Sequence, residues 1–296
     1  MSRPETDEAE IEASRAPLMD HLIELRGRLV VCVVAFILAF FVCFYFAAQI
    51  QLILIHPFQA ATAMHAASGG TGHGVSPFDL IAVTAWVKPI PEAGQATVQL
   101  IATAPLEQLF TKMKIAGFGA VVLAFPVLAY QLYRFVAPGL YRNEKGAFLP
   151  FLLASPVLFV LGGALVYFVM LPFVMWFSLG QQVTGNGISV ELLPKISEYL
   201  NLVTALLLAF GLCFQLPIVM TLLGLAGIIS SKVMAEGRRY AIVAVVVVAA
   251  IVTPPDPISQ IMLAVPLVLL YELSIWCVRL IEMRRGKADE AEGLAV

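Results

Sequence analysis

The 296-residue chain is 60% hydrophobic and only 13% charged, and its mean hydropathy is +0.90. Soluble domains carry about 25% charged residues, so this composition excludes a soluble globular protein and indicates one that lies in a membrane. The formal net charge is -2, and no tract of Lys and Arg is interleaved with aromatic residues. These two features exclude a strongly basic nucleic-acid-binding protein.

The first 17 residues are acidic and predict a disordered tail, because they are rich in Glu and poor in apolar side chains. They lack the basic stretch that opens a cleavable signal, so we expect the first span to direct insertion. From residue 18 onwards, leucines recur at helical spacing, at Leu18, Leu22, Leu25 and Leu29. This pattern predicts an amphipathic helix on the membrane surface that runs into the first span.

Six runs with few or no charges predict the membrane-spanning helices. Leu29 to Ala48 and Ala147 to Leu171 each reach the roughly 20 residues that a bilayer core requires. Tyr240 to Val252 allows only about 20 Å of helix, and the sixth run is long enough only if it includes Glu272. The predicted fold is an all-α integral membrane protein with short helices five and six. The predicted core covers residues 18–282, and a cytoplasmic tail of 283–296 follows it. The predicted spans within the core are 29–48, 115–133, 147–171, 200–222, 240–252 and 258–278.

The distribution of Lys and Arg predicts that both termini face the cytoplasm. With the N-terminus inside, only four of the 18 basic residues fall in outside loops. These four are Lys88, Lys112, Lys114 and Lys195. The opposite orientation would reverse the ratio, so the even number of spans and the charge bias support each other.

No motif in the chain indicates catalysis, a cofactor or a metal site. The cysteines lie in or beside spans without paired ligand spacing, which is typical of buried thiols. The Gly, Ser and Ala-rich stretch from Ala60 to Gly74 predicts a flexible outside loop, within a longer segment, Ala60 to Leu100, whose role the sequence leaves open. We therefore expect a protein that is not an enzyme.

Several ordered motifs resemble the TatC family, the multispanning subunit of the twin-arginine protein translocase. HLIELRGR at 21–28 resembles the family's N-terminal signature, and PVLAYQLYRFVAPGLYRNE at 126–144 its second-span exit and first cytoplasmic loop. FGLCFQLP at 210–217 resembles its fourth span, and TPPDPISQ at 253–260 with PLVLLYE at 266–272 its last hairpin. Their order along the chain makes chance agreement very unlikely, although each motif alone is weak.

The resemblance implies a receptor and scaffold in the bacterial inner membrane: six helices in a cupped array that bind twin-arginine signal peptides of folded proteins. It also implies self-association and single-span partner subunits of the TatA and TatB type, with transport driven by the proton-motive force. By resemblance, Glu24, Arg26, Phe135 and Glu144 form the signal site. If the family resemblance is set aside, Glu24 would be an i,i+4 partner of Arg28. Glu144 would then be a local partner of its basic neighbours, and Phe135 would be an interfacial anchor.

Two further polar sites have open alternatives. Gln215 stands where the family usually has Glu, which puts a pH-linked role in doubt; it could bond a cargo or partner helix, or the carbonyl that Pro217 frees. Thr253 and Gln260 resemble the polar cluster that engages a partner's span. Asp256 and Pro257 between them form a strong local helix start, which accounts for Asp256 almost completely.

The alternative function is a secondary transporter of a small solute. Such proteins usually show internal repeats and charged or broken helices near the midplane, and neither feature is evident in this sequence. Co-purification with single-span partners, compared with solute flux in liposomes, would distinguish the two functions.

Overall fold

The computed structural model describes residues 4–68, 76–91, 100–136, 145–185, 188–190, 193–225, 227–252 and 257–293. Almost all of these residues are helical, as the sequence predicts. The helices are α1 (Pro4–Tyr45), α2 (Ala47–Ala67), α3 (Pro77–Thr84), α4 (Glu107–Val136), α5 (Lys145–Leu165), α6 (Leu171–Leu179), α7 (Ile196–Cys213), α8 (Leu216–Leu225), α9 (Ser231–Glu236), α10 (Arg238–Val252) and α11 (Pro257–Gly293). A π-helical turn, Val166–Met170, joins α5 to α6, and a small antiparallel hairpin pairs β1 (Val183–Gly185) with β2 (Ile188–Val190).

Five stretches of described helix are long and apolar enough to cross a membrane. They are Ile23–Tyr45, Glu107–Arg134, Leu152–Leu179, Ile196–Leu225 and Gln260–Met283, which overlap predicted spans one, two, three, four and six. A chain that crosses a bilayer repeatedly does so in alternating directions. We call the side of the bundle where α1 begins the N-terminal side, and the other the opposite side.

The fifth helix is short, as predicted, but the sixth is not. α10 has 15 residues, or roughly 22 Å at 1.5 Å per residue. α11 has 37 residues and continues through much of the predicted tail of 283–296. The reason is local: Glu, Arg, Lys and Ala dominate that segment, and all four are strong helix formers.

The N-terminal segment also differs from the expectation of a disordered tail. Helix α1 begins at Pro4 and has 42 residues, so the backbone of 4–17 is continuous with the first span. Repeated Glu and Ala favour helix, and carboxylates near a helix N-terminus interact favourably with its dipole. Charge along this segment therefore does not interrupt the helix.

On the opposite side, α2 and α3 fold against the bundle where the sequence predicted a flexible loop from Ala60. Helix α2 continues to Ala67, and Ala60, Ala61 and Ala63 are completely buried. Small side chains, which look like a linker by composition, here allow close helix packing. Ser76 caps the start of α3 by accepting a hydrogen bond from the Phe78 N–H, 3.3 Å away.

Trp86, just after α3, has a φ of 55°. A bulky residue in this left-handed region is strained and persists only where its surroundings hold it. The indole is held between two rings: its centroid lies 4.2 Å from that of His56 on α2 and 6.2 Å from that of Tyr167 in the π-helical turn. This stack fastens the α3 segment to the third span.

The third and fourth spans cross at two glycines. A Cβ on Gly162 would lie 2.7 Å from the Phe210 carbonyl oxygen, and one on Gly211 would lie 2.6 Å from the Phe159 ring. Small residues let helix backbones approach closely in membranes. The fourth span is itself broken between Cys213 and Leu216, where Pro217 follows, as expected for a proline in a helix.

Candidate functional site

The predicted signal site lies on the N-terminal side, and the structure describes two of its four residues fully. Glu24 and Arg26 are exposed on α1. Glu24 forms an ion pair with Arg28, four residues later, with 44% of the Glu24 side chain exposed. Phe135 lies in the last turn of α4, but its side chain is outside the described residues, as is Glu144. Of the four residues, the described side chains are thus those of Glu24 and Arg26, both on α1.

The second span carries a cation on this same side, near Phe135. Arg134 is exposed, its Nη1 donates to the Tyr130 hydroxyl over 3.3 Å, and its guanidinium carbon lies 5.9 Å from the Tyr130 ring centre. An arginine fixed by an aromatic ring at a helix end is typical of a membrane interface.

Gln215 lies in a buried hydrogen-bond network inside the bundle. Its Nε2 donates to the Ser155 carbonyl oxygen over 2.9 Å, and its Oε1 accepts from Ser155 Oγ over 2.8 Å. The Tyr133 hydroxyl lies 3.4 Å from that Oε1 and 3.3 Å from Ser155 Oγ, so its proton can go to either oxygen. The exposed fractions of Gln215, Ser155 and Tyr133 are 8%, 0% and 5%. The amide thus joins spans two, three and four. The sequence also allowed a hydrogen bond from Gln215 to the carbonyl that Pro217 frees, but this bond is not among the described bonds of Gln215.

The predicted docking edge between spans five and six is described at two of its four residues. Pro257 is the first residue of α11, where the sequence predicted a helix start, while Thr253 and Asp256 lie outside the described residues. Gln260 Nε2 donates to the Val246 carbonyl oxygen over 3.3 Å. Gln260 therefore connects span six to span five within this chain.

At the N-terminal side, three side chains of α11 hold the segment that leads into span five; sequence analysis missed this arrangement. Arg238 and Glu272 form a two-point ion pair, with Nε–Oε1 and Nη2–Oε2 distances of 2.9 Å. The Tyr271 hydroxyl donates to the Met234 carbonyl oxygen over 2.9 Å, and Glu282 accepts from the Ser231 N–H over 2.8 Å. Glu272 lies inside a predicted span, and this was the one signal in the sequence that could have indicated a basic partner such as Arg238.

A second polar cluster fixes the opposite side. Glu107, at the start of α4, is 8% exposed and accepts from the Thr103 and Ala104 N–H groups over 2.7 and 3.2 Å. The Ser197 hydroxyl donates to its other oxygen, and Lys195 Nζ lies 4.0 Å from that oxygen. This carboxylate ties the start of the second span to the start of the fourth, which is a structural role.

The described residues contain no group of three or more His, Cys, Asp or Glu placed to hold a metal ion. Two of the histidines, His56 and His65, are buried on α2, and among described residues their Nδ1 atoms have no hydrogen-bond partner.

Comparison with known proteins identifies the family. The model of the family described as "Sec-independent protein translocase protein (TatC)" matches residues 20–266. The TatC protein of Magnetococcus marinus is 40% identical over 278 residues, 94% of this chain and 89% of the relative. For the TatC protein of Aquifex aeolicus the identity is 35% over 275 residues, 93% of this chain and 100% of the relative. The TatC protein of Escherichia coli K12 is 32% identical over 260 residues, 88% of this chain and 87% of the relative.

The fold agrees with this likeness. A crystal structure of the twin-arginine translocase receptor TatC superposes with a TM-score of 0.66 at 34% sequence identity, covering 88% of this chain and 98% of the other. A second crystal structure of that receptor, in DDM, gives a TM-score of 0.67 at 35% identity, covering 86% of this chain and 98% of the other. The chain is therefore a multi-pass membrane protein that belongs to the TatC family of Sec-independent protein translocase proteins.

Proposed function

We propose that this chain is the receptor for twin-arginine signal peptides of folded proteins and the scaffold on which the export complex assembles. The observation that carries the proposal is the likeness to the twin-arginine translocase receptor, at 34% identity over 88% of the chain. The six-span interpretation and the excess of Lys and Arg on the N-terminal side support an orientation with both termini in the cytoplasm of a bacterium. The signal then binds on the cytoplasmic side of the inner membrane.

Recognition depends on cytoplasmic carboxylates, because two adjacent guanidiniums each form a two-point hydrogen bond with a carboxylate. Glu24 and Glu144 fill this role, together with Phe135 and Arg26 of the same motifs. Glu24 is accessible to a signal arginine, since 44% of its side chain is exposed, whereas the side chain of its partner Arg28 is only 13% exposed. A signal arginine therefore competes with Arg28 for Glu24.

Assembly depends on the edge between spans five and six. Helix α10 is short, and its apolar side chains Ile242, Val243, Val247 and Ile251 are exposed. A short span thins the bilayer locally or recruits a neighbouring helix. The single-span subunits of the TatA and TatB type are the partners that this edge receives, with Thr253 and Gln260 contributing hydrogen bonds. Transport itself is driven by the proton-motive force.

Binding of a labelled signal peptide to the purified protein in nanodiscs tests the proposal. The matched peptide control has Lys-Lys in place of Arg-Arg, which keeps the charge but removes the two-point hydrogen bonds. E24Q and E144Q should each weaken binding of the twin-arginine peptide, whereas E236Q, an exposed acid on α9, should not. Equal binding of the two peptides, or unchanged binding in both glutamate variants at low salt, would refute this receptor function.

A further inference from the structure

The hydrogen-bonding capacity of Gln215 is largely used inside the bundle. Its Oε1 lies within bonding distance of Ser155 Oγ and the Tyr133 hydroxyl, and its Nε2 donates to the Ser155 carbonyl. With only 8% of the residue exposed, the side chain is not free to bind a cargo or a partner helix without breaking these bonds. Its role must therefore be sought in what it holds.

The three residues connect span four to α4 and α5, the two helices that flank the proposed signal site. Tyr133 lies one turn from the end of α4 at Val136, and Phe135 follows it two residues later. Ser155 lies at the middle of α5, which begins at Lys145, the residue after Glu144, and ends at Leu165. Because Tyr133 and Ser155 contact the same amide, one residue of span four fixes the separation of both helices.

Close packing near this site strengthens the arrangement. The rings of Phe125 on α4 and Phe159 on α5 are stacked 3.9 Å apart, and Phe159 also lies against Gly211, one turn before Gln215. The hydrogen bonds and the stacked rings thus connect the same three spans. Apolar packing resists separation, while the directional hydrogen bonds fix rotation and register.

We propose that Gln215 is a positioning residue for signal recognition: with Tyr133 and Ser155 it holds the last turn of α4 and the middle of α5 at the separation that the twin-arginine signal requires. This inference rests on the proposed function. Gln suits the role because its amide is neutral and both donates and accepts at any physiological pH. Signal affinity should therefore not depend on the protonation of this site.

The test compares signal-peptide affinity in nanodiscs for the parent, Q215L, Y133F and T221V. Each side-chain hydrogen bond in a membrane protein changes an equilibrium by roughly threefold, so Q215L should weaken binding by about 3- to 10-fold and Y133F by about 3-fold or less. T221V is the matched control. Thr221 is a buried hydroxyl on the same span, but it donates to Pro217 of its own helix, so its loss should leave affinity unchanged.

Gln215→Glu gives a conditional rescue that separates positioning from general damage. A protonated carboxyl can donate to the Ser155 carbonyl as the amide does, whereas an ionised one cannot. Burial raises the pKa of a carboxyl, so Q215E should bind the signal as the parent does at about pH 6 and lose affinity towards about pH 9. Signal binding by the parent protein should not change across that pH range.

A distance measurement identifies the cause. Spin labels at Leu132 on α4 and Leu153 on α5, which are 58% and 65% exposed, report the separation of the two helices without entering the core. The background has its four native cysteines, Cys32, Cys43, Cys213 and Cys277, replaced by alanine. The distance distribution should broaden or shift in Q215L, and in Q215E only at high pH.

Three results would overturn the proposal: parent-like signal binding by Q215L, weakened binding with an unchanged distance distribution, or a flat pH profile for Q215E. If Q215L does not insert, Y133F and Q215E decide the outcome by the same readouts. If the parent itself does not prefer the twin-arginine peptide to its twin-lysine control, the proposed function fails. In that case the distance measurement still decides whether Gln215 sets the helix separation.

Discussion

The close crossing of the third and fourth spans can be tested with alanine substitutions. Substitutions at two adjacent glycines should have different effects on stability. In G162A the new methyl group would lie 2.7 Å from the Phe210 carbonyl oxygen and 2.9 Å from the Phe214 ring. A backbone carbonyl inside a helix cannot rotate away, so the two helices must separate. In G163A the nearest atom outside the helix, a methyl carbon of Leu207, would lie 3.9 Å away, which is an ordinary contact.

The expected magnitudes follow from these contacts. Forcing a methyl group into a filled contact typically costs about 1 to 3 kcal/mol, and separation would also stretch the Gln215 hydrogen bonds two turns along α5. Alanine at a helical position without a clash stabilises by roughly 0.5 to 1 kcal/mol in soluble helices. G162A should therefore lower the free energy of unfolding by about 1 to 3 kcal/mol, while G163A should leave it unchanged or raise it slightly.

The assay is thermal denaturation in detergent, followed by the fraction of protein that remains monodisperse after heating. Both variants insert one methyl group into the same helix, so expression and insertion are matched. If G162A and G163A unfold at the same temperature, the close crossing does not contribute to stability, and the account of how spans three and four are held together is wrong.

Three other expectations concern contacts outside this crossing. Q260L alone should reduce partner crosslinking to span five by less than about threefold, since one membrane hydrogen bond is worth roughly 0.6 kcal/mol; a larger loss would mean that Gln260 itself forms the docking site. R238A should destabilise the protein only slightly, by about 0.2 to 1 kcal/mol and less at high salt, because the Arg238–Glu272 pair is partly exposed; denaturation at two salt concentrations measures this. Burial lowers the pKa of His56 on α2, which lies outside the spans, so its stacking on Trp86 should be fully stable above about pH 6.5 and weaken as the pH falls. Trp86 fluorescence, with the other tryptophans replaced by phenylalanine, should report this change, and H56F should abolish the pH dependence of the stack.

The spans could be predicted from the sequence because lipid imposes a single strong constraint. A helix that crosses hydrocarbon must be apolar over a fixed length, so uncharged runs mark it without knowledge of any contact. The same reasoning identified α10 as short, since the charge at Arg239 and the turn after Val252 limit it on both sides. Composition gave a wrong prediction outside the spans, where lipid does not constrain the sequence. Helix α2 continues through Ala60 to Ala67, although the composition of that stretch resembles a linker.

The candidate sites were predictable only as single residues. Gln215 was conspicuous because a polar side chain inside a span needs a partner, yet its partners lie 60 and 82 residues away in sequence. A tyrosine and a serine within apolar helices carry no pattern that would pair them with one amide. Local rules succeed for Pro257, which begins α11, because a helix start depends only on adjacent residues.

The contacts divide the bundle into a firmly held part and a loosely held edge. Spans two, three and four share the Gln215 network, and spans three and four also meet at the glycine crossing. By contrast, among the described side chains of α10 only Ala249 is buried. Among the described residues, α11 contacts this helix through the Arg238–Glu272 pair at its start and through the Gln260 bond to Val246 near its middle. A receptor needs a rigid frame to read a signal and an edge that can change its neighbours, and the frame and the edge proposed for these two functions lie on different helices.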